Sequence, residues 1–367
     1  MDRREFIIGA AALAGGCRLT DCGCAAVERA RKIAESGVRD GAFFGAAFAR
    51  SDRGPDGFVG WQGATPETGA VDGLTRFEVA SVTKTVTAMI AARLVAQGRL
   101  DLFAPFTDYY ADHVLAGTDH GIRVFELATH TSALGGFADA RFSPDPGVSG
   151  GREGFLDGLR TCRPYAAPRK RVHYNCMNFC ILAEICHRIT GLSLAEMGRT
   201  MVFEPLGMTM SAWWPQRDDG HLAHLPLRQQ DDLPRKTGTV SDPPALYSGI
   251  PTGNAGLYTS LHDLRLFTAD ILRCATFEPK AYELLYTPLV DLEGVRRSFG
   301  WNMDAAGRPK GLSERTIYHT GFTGHTVCVD PENDFAGVVM TVRTGDAAAS
   351  ARLRNEILTA LAGKEAE

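Results

Sequence analysis

Ser81 and Lys84 stand three residues apart in Phe77-Glu78-Val79-Ala80-Ser81-Val82-Thr83-Lys84, just ahead of the apolar-rich run from Thr85 to Gly98. On a helix that offset puts the hydroxyl and the amine on one face, within hydrogen-bonding reach. A serine hydroxyl is a weak nucleophile at neutral pH until a base takes its proton, and a lysine held neutral by burial or by cationic neighbours can be that base. A helix start adds free N–H groups and a positive dipole end, which favour a developing oxyanion. The same residues also fit a serine N-cap with a lysine in the first turn. Partner groups elsewhere in the chain have to decide between the two readings.

Two more stretches could supply them. Tyr174, in Arg171-Val172-His173-Tyr174-Asn175-Cys176, precedes an apolar helix pattern, so its phenol either reaches into a cleft to exchange protons or is a half-buried ring bonded to backbone. Tyr318-His319-Thr320-Gly321-Phe322-Thr323-Gly324 comes just before the last strand pair. A strand edge with glycines for close approach can hold an acyl substrate by main-chain hydrogen bonds, and a backbone N–H there can be a second oxyanion donor.

The elements that must position these groups follow from periodicity. Val27, Ala30, Ile33 and Ala34 predict an amphipathic helix over about 25–36, and 42–50 with 57–63 predict a hairpin around Asp52, Gly54, Pro55 and Asp56. Helices are expected at 177–190, 194–203, 260–273, 279–285 and 351–361, strands at 326–330 and 335–342, and a loop rich in Gly, Pro, Ser and Asp at 135–154. The economical fold class is α/β (α+β): an antiparallel sheet made by the two terminal hairpins and covered by the first and last helices, with a mostly helical region inserted. The α/β part would take about 25–80 and 295–362 and the helical part about 81–294, with Ser81 at their junction, where clefts form.

Composition sets bounds on this. The chain has 367 residues and a net charge of -4, enough for a full core, and no basic stripe that would suit nucleic acid. Residues 1–24 read as an export signal: Arg3-Arg4 ahead of Phe6 and a short apolar run are twin-arginine-like, and Ala14-Gly15-Gly16-Cys17 resembles a lipoprotein box that would tether Cys17 to a membrane. That implies an exported protein, periplasmic or associated with the cell envelope. The nine cysteines show no C-x-x-C spacing for a metal, and nothing in their spacing requires disulfides.

In this order the motifs resemble the β-lactamase-related serine hydrolases, which include class C β-lactamases, DD-peptidases and esterases. Ser81-Val82-Thr83-Lys84 matches S-x-x-K, Tyr174-Asn175-Cys176 stands at the Y-x-N position, and His319-Thr320-Gly321 at K/H-T/S-G. Leu127 to Leu134 and Gly253 to Leu264 are similar to the family's flanking segments, so the resemblance spans about 25–362. It implies that Ser81 is the acylated nucleophile, that Lys84 keeps the serine or Tyr174 deprotonated, and that Tyr174 passes the proton to the leaving group and later activates water. It also implies an oxyanion hole from the N–H groups of Ser81 and Phe322, with no metal or cofactor. His319 is the remaining catalytic position, and Cys176, Asn178, Thr320, Gly321 and Phe322 are the substrate-binding ones.

Two departures shape the expected substrate. Cys176 replaces an asparagine that holds the substrate amide, with Asn178 one turn on as a substitute if it faces the cleft, and a thiol is the poorer hydrogen-bonding group. His319 replaces a lysine and weakens a fixed positive charge. Both favour an ester over a carboxylate-bearing amide or lactam, the alternatives being a DD-peptidase or β-lactamase and a non-catalytic penicillin-binding-like protein. Lys236-Thr237-Gly238 spells the lactamase triplet, but its acidic, proline-rich surroundings read as loop. The oligomeric state is not written in the pattern.

Overall fold

The structure is a computed structural model in which residues 21–135, 150–224 and 237–364 are described. Helix α1 (Asp21–Arg39) lays Val27, Ala30 and Ala34 on the sheet, and its apolar stripe is shared with the closing helix α7 (Ala347–Leu361) through Leu353, Ile357 and Leu361. It begins at Asp21, inside the stretch read as a leader; residues 1–20 of that stretch lie outside the described residues.

Beneath these helices the sheet runs β2 (Gly57–Gly60), β1 (Phe43–Arg50), β10 (Phe335–Arg343), β9 (His325–Asp330), β8 (Ile317–Gly321), antiparallel throughout. The two terminal hairpins are joined by pairs such as Ala47 with Met340. All nine residues of β10 are buried, which suits a Val-rich strand covered on both faces. The second cover is α5 (Leu261–Arg273), whose Leu264, Phe267 and Ile271 turn inward.

The inserted region wraps α2 (Thr83–Ala96), which is buried nearly all round, as a helix at the centre of a domain must be. Packed on it are α4 (Met177–Thr190), stopped by Gly191 in the left-handed region, and α6 (Pro279–Tyr286). The chain expected as one helix over 194–203 is helical at Leu194–Gly198 and then widens into a looser turn over Arg199–Phe203. Of the expected 135–154 loop, residues 136–149 lie outside the described residues, and the chain is helical in α3 (Gly151–Thr161).

A second, small sheet was not foreseen: β4 (Ala212–Trp213), β5 (Leu257–Ser260) and β3 (Arg76–Glu78) in the order β3-β5-β4. Strands of two to four residues are too short for alternation to show. A two-stranded hairpin, β6 (Val290–Leu292) with β7 (Val295–Arg297), bridges from Arg297 through Asn302 to Tyr318 on β8. Among the described residues no helix is long and apolar enough to cross a membrane.

Candidate active site

The small sheet aims the serine. β3 ends at Glu78, Val79 N–H donates to Leu257 O at 2.9 Å, and Ala80 takes a φ of 45° before the tight turn Ala80–Val82 leads into α2. An alanine in the left-handed region costs roughly 1 kcal/mol and persists only where its surroundings hold it. Here the buried Glu78 carboxylate does so, accepting from Ala80 N and Gly256 N, each at 3.0 Å. Desolvation raises the Glu78 carboxyl to about 7, against the hydrogen bonds from Ser241, Gly256 and Ala80 that pull it down. From the other side β8 approaches so closely that a Cβ on Gly321 would sit 2.4 Å from Val79 O.

Lys84 is fully buried, and its three ammonium hydrogens find three acceptors: Ser81 Oγ at 3.0 Å, Asn254 O at 2.9 Å and Cys176 Sγ at 3.4 Å. The neutral amine that would itself deprotonate Ser81 is not the favoured form here. Burial alone would lower Lys84, but the Cys176 thiol and the Tyr174 phenol beside it prevail, and it stands above the usual lysine value. That direction favours the ammonium form of Lys84.

Tyr174 donates to Ser81 Oγ at 2.7 Å, which decides its reading: the phenol reaches the serine. One side of the residue stays open, at 45% exposure, while desolvation at the hydroxyl raises it above an ordinary tyrosine despite the nearby Lys84. His130, with a φ of 58°, braces the ring at a centroid distance of 4.5 Å. Its Nδ1 accepts from Asn175 N at 3.2 Å and lies 3.3 Å from Asn178 Nδ2. Burial and the cations Arg297 and Lys84 push His130 well below its usual range, so it is neutral.

Asn178 therefore does not substitute for the missing amide of the Y-x-N position. Its Nδ2 is engaged with His130, its Oδ1 accepts from Ser132 Oγ at 2.6 Å, and the side chain is buried behind the tyrosine. It positions Tyr174 through His130. Cys176 itself faces Lys84 from the start of α4.

His319 lies on β8 with its ring centroid 6.5 Å from that of Tyr174. Its Nδ1–H donates to Thr320 O at 2.9 Å, which leaves Nε2 a buried acceptor without a partner. Burial, then Lys84 and Arg297, lower it to about 3, so this position is uncharged here. Thr320 is exposed, Gly321 is buried against Val79, and Phe322 is exposed with the Arg343 guanidinium carbon 4.6 Å from its ring centre.

Three participants had no signal in the sequence. Arg297 looks like any strand-end arginine, Asn254 contributes only its carbonyl, and His130 was read as part of a flanking segment without a role. Lys236 lies outside the described residues, while Thr237 and Gly238 form a turn; the loop after them sends Ser241 to Glu78. Among the described residues no cluster of His, Cys, Asp and Glu could hold a metal.

Residues 30–361 match the family model described as Beta-lactamase. Over 300 residues the chain is 28% identical to Esterase EstB of Burkholderia gladioli, covering 70% of this chain and 74% of that one. Among solved structures, EstCE1, described as a hydrolase with promiscuous acyltransferase activity, superposes with a TM-score of 0.76 at 18% identity, covering 94% of this chain and 100% of that one. A class C beta lactamase from Rhodobacter sphaeroides superposes at 0.72 and 20% identity, covering 90% and 99%. At such identities the two structures speak for the fold alone.

Proposed function

This chain belongs to the beta-lactamase family, and on that footing we propose that it is a serine hydrolase that forms an acyl-enzyme on Ser81 and prefers esters. The observation that carries the reading is the convergence on one hydroxyl: Lys84 Nζ at 3.0 Å and Tyr174 Oη at 2.7 Å from Ser81 Oγ.

In the proposed sequence the Lys84–Tyr174 pair first gives up a proton, and Tyr174 then accepts the serine hydrogen as Oγ attacks the substrate carbonyl carbon. The tetrahedral oxyanion is held by the backbone N–H groups of Ser81 and Phe322. Collapse breaks the bond to the leaving alkoxide, which takes the proton from Tyr174, and leaves an ester on Ser81. A water molecule, deprotonated by the same phenolate, attacks that ester, and the proton returns to Ser81 as the acid departs.

Preference for an ester is supported by the groups that no longer suit a carboxylate-bearing amide. His319 is neutral, Cys176 is turned to Lys84, and Asn178 is occupied behind the ring. An esterase is among the curated relatives beside putative D-alanyl-D-alanine carboxypeptidases, so the choice rests on these side chains. A side-by-side measurement of kcat/KM for a short-chain chromogenic ester and a cephalosporin tests it. Turnover of the ester that disappears in Ser81→Ala, with the cephalosporin slower by at least tenfold, is expected. A preference for the cephalosporin would overturn the substrate choice, and ester turnover that survives Ser81→Ala would overturn the reading.

A further inference from the structure

Arg297, at the end of β7, is 5% exposed and borders the site described above. Its Nη2 donates to Asn302 Oδ1, and its Nε is buried without a hydrogen-bond partner. Among the described residues no carboxylate lies within ion-pair distance of it; the acid that acts on it is Asp304, which is itself occupied by the Tyr318 hydroxyl at 2.8 Å. Burying a cation with so little compensation is costly, and such arrangements gather at functional sites.

What the guanidinium faces is Tyr174. Its carbon is 6.0 Å from the centre of that ring, and Lys84 Nζ is 5.0 Å from the same point. The other groups around the phenol are Ser81, the Cys176 thiol and the neutral imidazoles of His130 and His319. Lys84 and Arg297 are thus the two cations on the ring among the described residues. The backbone holds Arg297 in place firmly: Ser298 N–H donates to Trp301 O at 3.2 Å, and Gly300, with a φ of 85°, packs so tightly on α2 that a Cβ would stand 2.3 Å from Ala88 Cβ.

Resting on the hydrolase reading, we propose that Arg297 is a positioning residue whose fixed charge favours the phenolate of Tyr174, supplying from β7 the positive charge that His319 does not carry. The sign of the effect is set by electrostatics. A cation near the ring stabilises phenolate over phenol, so removing or neutralising it makes deprotonation harder and moves the acid limb of the pH–rate profile to higher pH. The limb belongs to the Lys84–Tyr174 pair as a unit, and loss of a neighbouring cation raises both members.

The test is kcat/KM for a chromogenic ester against pH in the wild type, Arg297→Lys, Arg297→Gln and Asn302→Asp. The last variant keeps the arginine and places a carboxylate on its Nη2. A unit charge about 6 Å away in a partly polar interior is worth on the order of one pH unit. The limb is therefore expected to move up by about one in Arg297→Gln and Asn302→Asp, with a rate near neutrality down about tenfold that recovers in alkali, and to stay in place in Arg297→Lys. A limb that does not move in folded Asn302→Asp, or a loss equal at every pH, would overturn the proposal, even if Arg297→Gln does not fold. Should the wild type show no Ser81-dependent turnover, it is the hydrolase reading that fails. The ionisation of Tyr174, followed as the tyrosinate absorbance lost in Tyr174→Phe, would then still decide the effect of Arg297.

Discussion

At the scale of single residues the site is a problem in proton placement. Two donors converge on Ser81 Oγ, and both sit above their usual values: Tyr174 because its hydroxyl is desolvated, Lys84 because the thiol and phenol beside it outweigh its burial. In the proposed mechanism the reactive form has one proton fewer, so kcat/KM should rise with pH across the neutral range, which a pH–rate profile will show. Tyr174→Phe removes the acceptor without removing the ring and is expected to lower kcat by about 100- to 10,000-fold. Glu78 gives a separate prediction on stability. Its folded value, about 7, lies above the ordinary carboxylate value, so the folded state binds the extra proton and stability falls as pH rises from about 4.5 through 7. For a group fully buried the upper bound is roughly 3 kcal/mol. Glu78→Gln should flatten that slope, as read from urea midpoints at acid and alkaline ends; an unchanged slope would assign the loss to other groups.

Elements bring these residues together from different layers: the serine from a short strand and tight turn, the lysine from α2, the phenol from the loop before α4, the imidazole from β8. The tightest joint is Gly321 on Val79 O. Gly321→Ala would push β8 away from the nucleophile turn and is expected to destabilise by about 1–3 kcal/mol while kcat falls well beyond what the lost stability explains, as measured by kinetics beside thermal melts. Much of this was readable in the sequence. The offset between Ser81 and Lys84, the apolar helix at 177–190 and the terminal strand pairs all rest on local periodicity or spacing. What was hidden depends on distant contacts. Asn178 stands one turn on from Tyr174 and would substitute only if it faced the cleft, but Ser132 and His130 claim its amide. The charge that the Lys84 site favours was not legible because the thiol beside it stands 92 positions away. β3 and β5 were invisible because each gains its partners only when the chain folds back.

Taken whole, the molecule joins its first and last strands in one sheet and sets the helical region beside it, so that the serine turn meets β8 where the two parts join. The chain carries a net charge of -4, yet the cations Lys84 and Arg297 flank the Tyr174 phenol in the interior. In the proposed mechanism, a negative charge developing on Tyr174 is thereby favoured over the neutral phenol. The amino-terminal Arg3-Arg4 pair, the apolar run and Cys17 carry the proposal of export to the periplasm or cell envelope. Fractionation of cells making the full chain should find it outside the cytoplasm, and the double variant Arg3→Lys, Arg4→Lys should retain it inside; identical distributions would argue against that route. Release from the membrane fraction in Cys17→Ala would mark the lipid tether.

Catalysis through a covalent intermediate is the claim on which the rest depends, and peptide mass spectrometry after acid quench of a slowly turned-over ester reads it directly. The acyl mass is expected on the peptide that contains Ser81, and on no other, during turnover. Hydrolysis that proceeds with the ester bond formed elsewhere, or with no adduct on Ser81 at any quench time, would contradict the account.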